Sequence, residues 1–241
     1  MDNKKAPGFD LIDKKILEEL PRKAIVFLAL IFNAMLRIGY FPDLWKVSQV
    51  IMILKPGKPI SLLPIFSKLF EKCLLQRLIS ATNKKSIIPD HQFGFRSKHS
   101  TIEQVHRVCR KIRKSFELKE YCSSAFIDIQ AAFDKVWHKG LLFKIKSLLP
   151  HTFYGIIRSY ISNRIFQVRE GDSTSQFYNI EAGVPQGSVL GPFLYLIFTS
   201  DLPETSNVTT ATFADDTALI AFNKCPIEAS QAWTVNNPRS K

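Results

Sequence analysis

The run TFADDTALIAF at residues 212–222 sets Asp215 and Asp216 side by side among apolar and threonine residues. A strand cannot bury two unpaired carboxylates without a large desolvation cost. The acids therefore belong where the chain reverses, with TTATFA and TALIAF as the arms of a hairpin, because Asp is accepted in tight turns and stays open to solvent or ions there. A divalent cation would offset the remaining cost, since Mg²⁺ is held by one or two carboxylates plus phosphate oxygens. Another acid, Asp128, sits near the end of the apolar segment SSAFIDI at 123–129, on the same face as Phe126 by the period of two along a strand. Three carboxylates converge if the two elements are sheet neighbours. By spacing alone an Asp pair in a turn is more often simply solvated, so both readings stand at this point.

Patterns along the chain supply the rest of the framework. Residues 11–38 read as helical with Pro21 in a first turn, and AIVFLALIF at 24–32 reads as a buried helix segment, short of the roughly 20 residues a membrane span needs. VSQVIMIL at 47–54 reads as a strand ending at the turn KPGKP, followed by a short helix around 67–80. Ile102, Val105, Cys109, Ile112 and Phe116 recur at helical spacing, with Arg107, Arg110, Lys111 and Lys114 on the opposite face. FDKVWHKGLLFKIKSLL reads as a helix, RIFQV and QFYNI as a hairpin, and AGVPQGS as a turn opening an apolar helix near 190–199. Strands alternating with helices and hairpins predict an α+β fold, a sheet layered on helices. The tail ASQAWTVNNPRSK has no periodicity and is expected to fray.

A hydrophobic fraction of 46% with 22% charged residues marks a folded chain, and a net charge of +12 points to a polyanion, either nucleic acid or an anionic membrane surface. Cys73, Cys109, Cys122 and Cys225 are widely spaced, with no CxxC pair, and are expected as reduced thiols. The amino terminus MDNKKAPGFD lacks the apolar core of a secretory signal, so a nuclear or cytoplasmic location is expected.

Four longer words, IIPDHQFGFRSKHSTIEQVHR, AFIDIQAAFDKVWH, AGVPQGSVLGP and FADD, occur in that order. Together they resemble the reverse transcriptase domain of non-LTR retrotransposons, most closely the Jockey type; KAPGFDLI and GYFPDLWKVSQVIMILKPGKP extend the likeness over roughly residues 4–230. The resemblance implies a right-hand polymerase: fingers and fingers-palm region over 1–122, palm over 123–227 and a tail over 228–241. It implies two Mg²⁺ or Mn²⁺ ions held by Asp128, Asp215 and, less tightly, Asp216. It also implies nucleotide contacts from Phe133, which crowds the sugar 2′ position, and from Gln186, Gly187, Lys55 and Lys58. Template contacts fall to Gln92, Gly94, Phe95 and Arg96. Asp134, in the matching AFD, either belongs to the motif or caps the next helix. The partners implied are an RNA template, a DNA primer and deoxynucleoside triphosphates, with no membrane.

Two departures qualify the expectation. The family passes from KPGKP through a polar stretch and an SYRP motif into ISLLP, whereas Pro59 here runs directly into ISLLPIFSK. This shortening is expected to remove the return strand of the fingers hairpin together with a triphosphate-binding Arg. The later palm motifs and the thumb are not found after the Asp hairpin. Activity is therefore expected to be weak or lost, and the alternative is a non-catalytic RNA- or DNA-binding remnant.

Overall fold

Runs rich in Leu, Ala, Lys and Ile at helical spacing alternate with short β-branched runs, and local structure follows them. The computed structural model describes residues 6–52, 59–202 and 208–232. α1 (Lys14–Glu18) and α2 (Arg22–Ile38) lead through a 3-10 turn at Asp43–Lys46 into β1 (Val47–Met52), β2 (Pro59–Leu62) and α3 (Ile65–Lys84). α4 (Thr101–Glu117), β3 (Tyr121–Ile127), α5 (His138–Leu148), α6 (His151–Ile161) and β4 (Arg164–Glu170) follow. β5 (Ser173–Thr174), β6 (Tyr178–Ile180), α7 (Gly191–Phe198), β7 (Val208–Phe213), β8 (Asp216–Asn223) and α8 (Pro226–Gln231) complete the order. Two compact units form, each from two separate stretches: 1–87 with 133–198, and 88–132 with 199–241.

The first unit carries a mixed sheet of order β2-β1-β4-β5, with β6 also paired to β4. β1 runs parallel to β4, Val47 opposite Ile165, and antiparallel to β2, Gln49 opposite Leu62. The return strand expected to be lost is thus present. Pro59–Leu62 pairs with β1 from Gln49 opposite Leu62 to Met52 opposite Pro59, so the residues that directly follow KPGK take the place of the missing segment. Beside this sheet Phe41 is fully buried, its ring edge-on to Trp45 at 5.8 Å and to Tyr160 at 5.0 Å, while Phe32 meets Phe70 at 5.1 Å. Such edge-to-face pairs add to the burial of large rings. α2 ends on Gly39 at φ 67°, and the Tyr40 N–H returns to the Met35 carbonyl in a Schellman-type closure.

α2 departs from its expected burial. It buries only Phe32 and Met35, leaving Ile25, Val26, Phe27 and Leu30 exposed, because among the described residues it packs along one stripe alone. The helix expected over FDKVWHKGLLFKIKSLL begins only at His138, because the Phe133 and Val136 carbonyls accept from the Val184 and Gly183 N–H groups instead of from a helical turn. The following helix, α6, is not among the elements expected from the sequence. Its run HTFYGIIRSYI is rich in aromatic and β-branched residues with weak helix propensity, and burial of Ile156, Ile157, Tyr160 and Ile161 secures it.

The second unit holds an antiparallel sheet of order β3-β8-β7. α4 begins with a reciprocal cap: Ser100 Oγ accepts from the Glu103 N–H at 3.2 Å, and Glu103 Oε2 accepts from the Ser100 N–H at 2.7 Å. Its expected apolar face is not its packing face. Ile102, Val105 and Phe116 are exposed, whereas Gln104 is buried and donates to the carbonyls of His91 and Thr212, and Arg107 donates to Thr210. The helix docks through polar side chains because β7 is an edge strand whose carbonyls need donors. α8 takes up the first residues of the tail expected to fray, with Pro226 in its first turn and Ala229 buried; residues 233–241 lie outside the described residues. All four cysteines are free, as expected, and no described helix is long and apolar enough to cross a membrane.

A Cβ at Gly39 would lie 3.3 Å from the Gly155 backbone in addition to the left-handed strain. Gly39→Ala is expected to lower stability by about 1–2 kcal/mol, measured from the midpoint of urea unfolding.

Candidate functional site

β-branched and apolar residues make β7 and β8 strands, and the hairpin between them turns in two residues. Phe213 pairs with Asp216, leaving Ala214 and Asp215 at the tip. Ala214 holds φ 60°, in the region that favours glycine. β8 pairs with β3 from Tyr121 opposite Asn223 to Ile127 opposite Thr217. One residue beyond this ladder, Asp128 stands level with Asp216, and both line one cleft of about 410 Å³ with Phe126, Phe213, Ala218 and Val105. Asp128 and Asp216 are exposed and Asp215 is half-buried. Adjacent strands therefore carry all three expected acids at one end of one sheet.

The donor set is hard oxygen, the kind that suits Mg²⁺. Among the described residues no three His, Cys, Asp or Glu side chains cluster closely enough to hold an ion by themselves. The three expected acids thus share one end of the sheet without forming a three-carboxylate cluster; one or two carboxylates hold Mg²⁺ only together with substrate phosphates and water. The residues present fit such an ion.

The segment before α4 is added to the edge of β7. Gln92 forms a parallel bridge to Thr212, the Phe93 N–H donates to the Thr212 carbonyl at 2.9 Å, and the Thr212 N–H donates to His91 at 3.1 Å. Gln92, expected at the template, is only 4% exposed. Its Oε1 accepts from the N–H of Ala214 at 3.0 Å and of Gly94 at 2.8 Å, and its Nε2 donates to the Ala214 carbonyl at 3.1 Å. Gly94 is required by this close approach, since a Cβ there would stand 2.1 Å from the Ala214 nitrogen. Arg96 donates to the carbonyls of Pro89 and Gln92, bracing the loop, and Phe95 is exposed at φ 57°. Of the four expected template residues, Phe95 is the most open to solvent.

In the first unit the loop GVPQG is gripped from three sides. Gly183, at φ 87°, packs on the Asp134 backbone and offers its carbonyl to His138 Nε2 at 2.7 Å. Gln186 Nε2 donates to both Asp134 carboxylate oxygens, at 3.0 and 2.9 Å, and its carbonyl accepts from the Ser61 N–H at 2.8 Å. Phe133 stacks on Tyr195 with centroids 4.8 Å apart. Asp134, Gln186, Ser61 and Phe166 line a cleft of about 330 Å³. Lys55 and Lys58 lie outside the described residues.

Sequence reasoning missed Glu71. Fully buried in α3, it accepts from the N–H groups of Val189 at 2.7 Å and Leu190 at 3.1 Å and from Ser67 Oγ at 2.9 Å, so it holds the start of α7. Burial pushes its carboxyl up from the ordinary range, and the Arg164 charge and these hydrogen bonds pull it back. Arg164 is 1% exposed, donates to the Tyr160 carbonyl, and lies over the Tyr160 ring at 4.9 Å. A signal existed in the stripe Ser67, Glu71, Leu74, Leu78, Thr82, which carries a charge at helical spacing among residues that are otherwise buried.

Around α4, a basic cleft of about 760 Å³ is lined by Lys98, His99, Arg107, Arg110, Lys111 and Lys114, with Phe93 at its wall.

An acid-bearing antiparallel hairpin in an α+β fold is the frame of a palm-type polymerase domain. The same fold occurs in telomerase from Candida tropicalis, solved with a fragment of telomeric RNA: the TM-score is 0.60 at 12% identity, over 89% of this chain and 42% of that one. The chain belongs to the reverse transcriptase (RNA-dependent DNA polymerase) family, whose model matches residues 53–235. It is 47% identical to a probable RNA-directed DNA polymerase from transposon BS of Drosophila melanogaster, over 95% of this chain and 27% of the relative. The RNA-directed DNA polymerase from mobile element jockey of Drosophila funebris is 46% identical, with the same coverage. The resemblance to Jockey-type elements therefore holds, and the chain spans about 27% of the length of these relatives. The alignment to transposon BS runs over 245 positions while covering 95% of a 241-residue chain, so the relative carries residues within the matched region that this chain lacks.

Glu71→Ala leaves the Val189 and Leu190 N–H groups without their acceptor and is expected to cost about 2–5 kcal/mol in denaturant unfolding, at about 1–3 kcal/mol for each unpaired group. Because the folded carboxyl is raised, its contribution is complete below the unfolded-state value and is lost as pH rises through the folded one. Glu71→Gln is expected to remove that slope in unfolding series run from about pH 4 upward.

Proposed function

We propose that this chain is the acid-bearing part of a reverse transcriptase, adding deoxynucleotides to a DNA primer on an RNA template. The observation that carries the reading is the β3–β8 register, which sets Asp128 level with Asp216 and beside the turn that holds Asp215. In this reading Asp128 and Asp215 hold Mg²⁺ or Mn²⁺, with Asp216 as the less engaged third acid. Two such ions in polymerases supply charge stabilisation to the attacking and departing oxygens of an in-line displacement.

The chain's own residues bind and orient. Gln186, held by Asp134, and Gly187, where φ is 109°, line the approach of the incoming nucleotide. Phe133, backed by Tyr195, stands at the sugar and disfavours a 2′-hydroxyl. Lys55 and Lys58 meet the triphosphate. Phe95 offers a ring to template bases, and Arg96 fixes the loop that presents it, with Gln92 and Gly94 securing the loop from below. The fingers, palm and tail division at 1–122, 123–227 and 228–241 belongs to this reading.

The basic cleft around α4 favours a second reading, a chain that binds nucleic acid without catalysing. Primer extension on an RNA template with Mg²⁺ or Mn²⁺ separates the two. Under the first reading, Asp128→Ala and Asp215→Ala each reduce extension by about 10²-fold or more. Extension that survives Asp215→Ala overturns the metal roles. Under either reading RNA affinity falls as log salt rises, and Arg110→Ala with Lys111→Ala makes that slope shallower by about 0.7 for each single-strand phosphate that is no longer neutralised. Affinity insensitive to salt removes the cleft from consideration.

A further inference from the structure

Two peptide units decide where Asp215 points: the one ending in the Ala214 N–H and the one beginning with the Ala214 carbonyl. Both are bonded to a single buried carboxamide, that of Gln92, through Oε1 at 3.0 Å and Nε2 at 3.1 Å. Ala214 has no glycine's freedom at φ 60°, a conformation that costs an alanine about 1–2 kcal/mol and persists only when its surroundings impose it. The same oxygen accepts from the Gly94 N–H, and any side chain at Gly94 would collide with the turn. Backbone bonds from Phe93 to Thr212 and from Thr212 to His91 keep this segment in register with β7.

We infer that Gln92 is a positioning residue: its carboxamide holds the Ala214–Asp215 turn in its strained form and so sets the direction of the Asp215 carboxylate toward a divalent cation. The inference rests on the metal reading of Asp215 for its purpose, but the clamp itself is a separate physical claim. It assigns Gln92 to the hairpin and leaves direct nucleic-acid contact to Phe95, which is exposed on the same loop.

Backbone amide exchange and Mn²⁺ binding followed by paramagnetic resonance test the two parts separately on the full chain. In the unmodified protein the Ala214 amide is expected to exchange as slowly as the paired amides of β8; rapid exchange there overturns the clamp whatever any variant does. Gln92→Met keeps the side chain's length and removes its hydrogen bonds. It is expected to speed Ala214 exchange selectively by about tenfold or more and to weaken Mn²⁺ by about 10-fold to 100-fold, the range for residues that orient a ligand. Gln92→Glu retains the acceptor to Ala214 and Gly94 and is expected to restore most of the Ala214 protection. Unchanged exchange in Gln92→Met overturns the inference, as does unchanged Mn²⁺ affinity where Asp215→Asn abolishes binding. If the unmodified chain binds no Mn²⁺ even with a deoxynucleoside triphosphate and primed RNA template present, the metal reading and the stated purpose of the clamp both fall, and the exchange rates alone decide whether the clamp exists.

Discussion

The antiparallel register of β3 against β8 is the constraint on which the acidic end of the second unit depends. Side chains directly opposite one another across such a ladder lie on one face and within reach of each other. Ile127 opposite Thr217 therefore brings Asp128 level with Asp216 without any contact between the acids themselves. A shift of one residue would turn every side chain of a strand to the other face. What holds this register is the length of the ladder, from Tyr121 opposite Asn223 to Ile127 opposite Thr217, while the two-residue turn at Ala214–Asp215 fixes β7 against β8 through the Phe213–Asp216 pair.

Polar side chains, more than apolar ones, fasten the loops next to these acids and next to the GVPQG turn. Gln92, Gln104 and Arg107 all spend their donors on backbone carbonyls of β7 or its turn. Glu71 does the converse in the first unit, accepting from backbone N–H groups at the start of α7. Buried, directional bonds of this kind specify one geometry, since a displaced loop leaves groups unpaired at a cost of about 1–3 kcal/mol each. The exposed faces of α2 and α4 show the other side of this arrangement: Ile25, Phe27, Ile102 and Phe116 are apolar by sequence yet contribute little to the described core.

Much is legible in the sequence before any coordinates. Strand-like runs locate β7 and β8 about the Asp pair, helical spacing locates α4, a shorter helix is expected within α3, and the order of four motifs identifies the family that the match over 53–235 bears out. Misreadings come where local pattern and tertiary pairing disagree. The apolar stripe of α4 predicts the wrong packing face because the edge of β7 needs donors more than it needs methyl groups. The helix predicted from Phe133 starts at His138 because carbonyls that a helix would use are taken by Gly183 and Val184. A strand is expected to be missing after Pro59, yet four residues there suffice to pair with β1.

The sequence by itself determined the chemistry available: which acids, which turn residues, which basic stripe, and the family to which they belong, because these depend on residue type and short spacing. Only the tertiary structure decided that β1 pairs in parallel with β4. It alone turned Gln92 inward to the Asp215 turn and carried Glu71 to the start of α7. Each of these joins residues far apart in the chain, and such pairings are set by which donors, acceptors and faces remain unsatisfied once the local elements have formed.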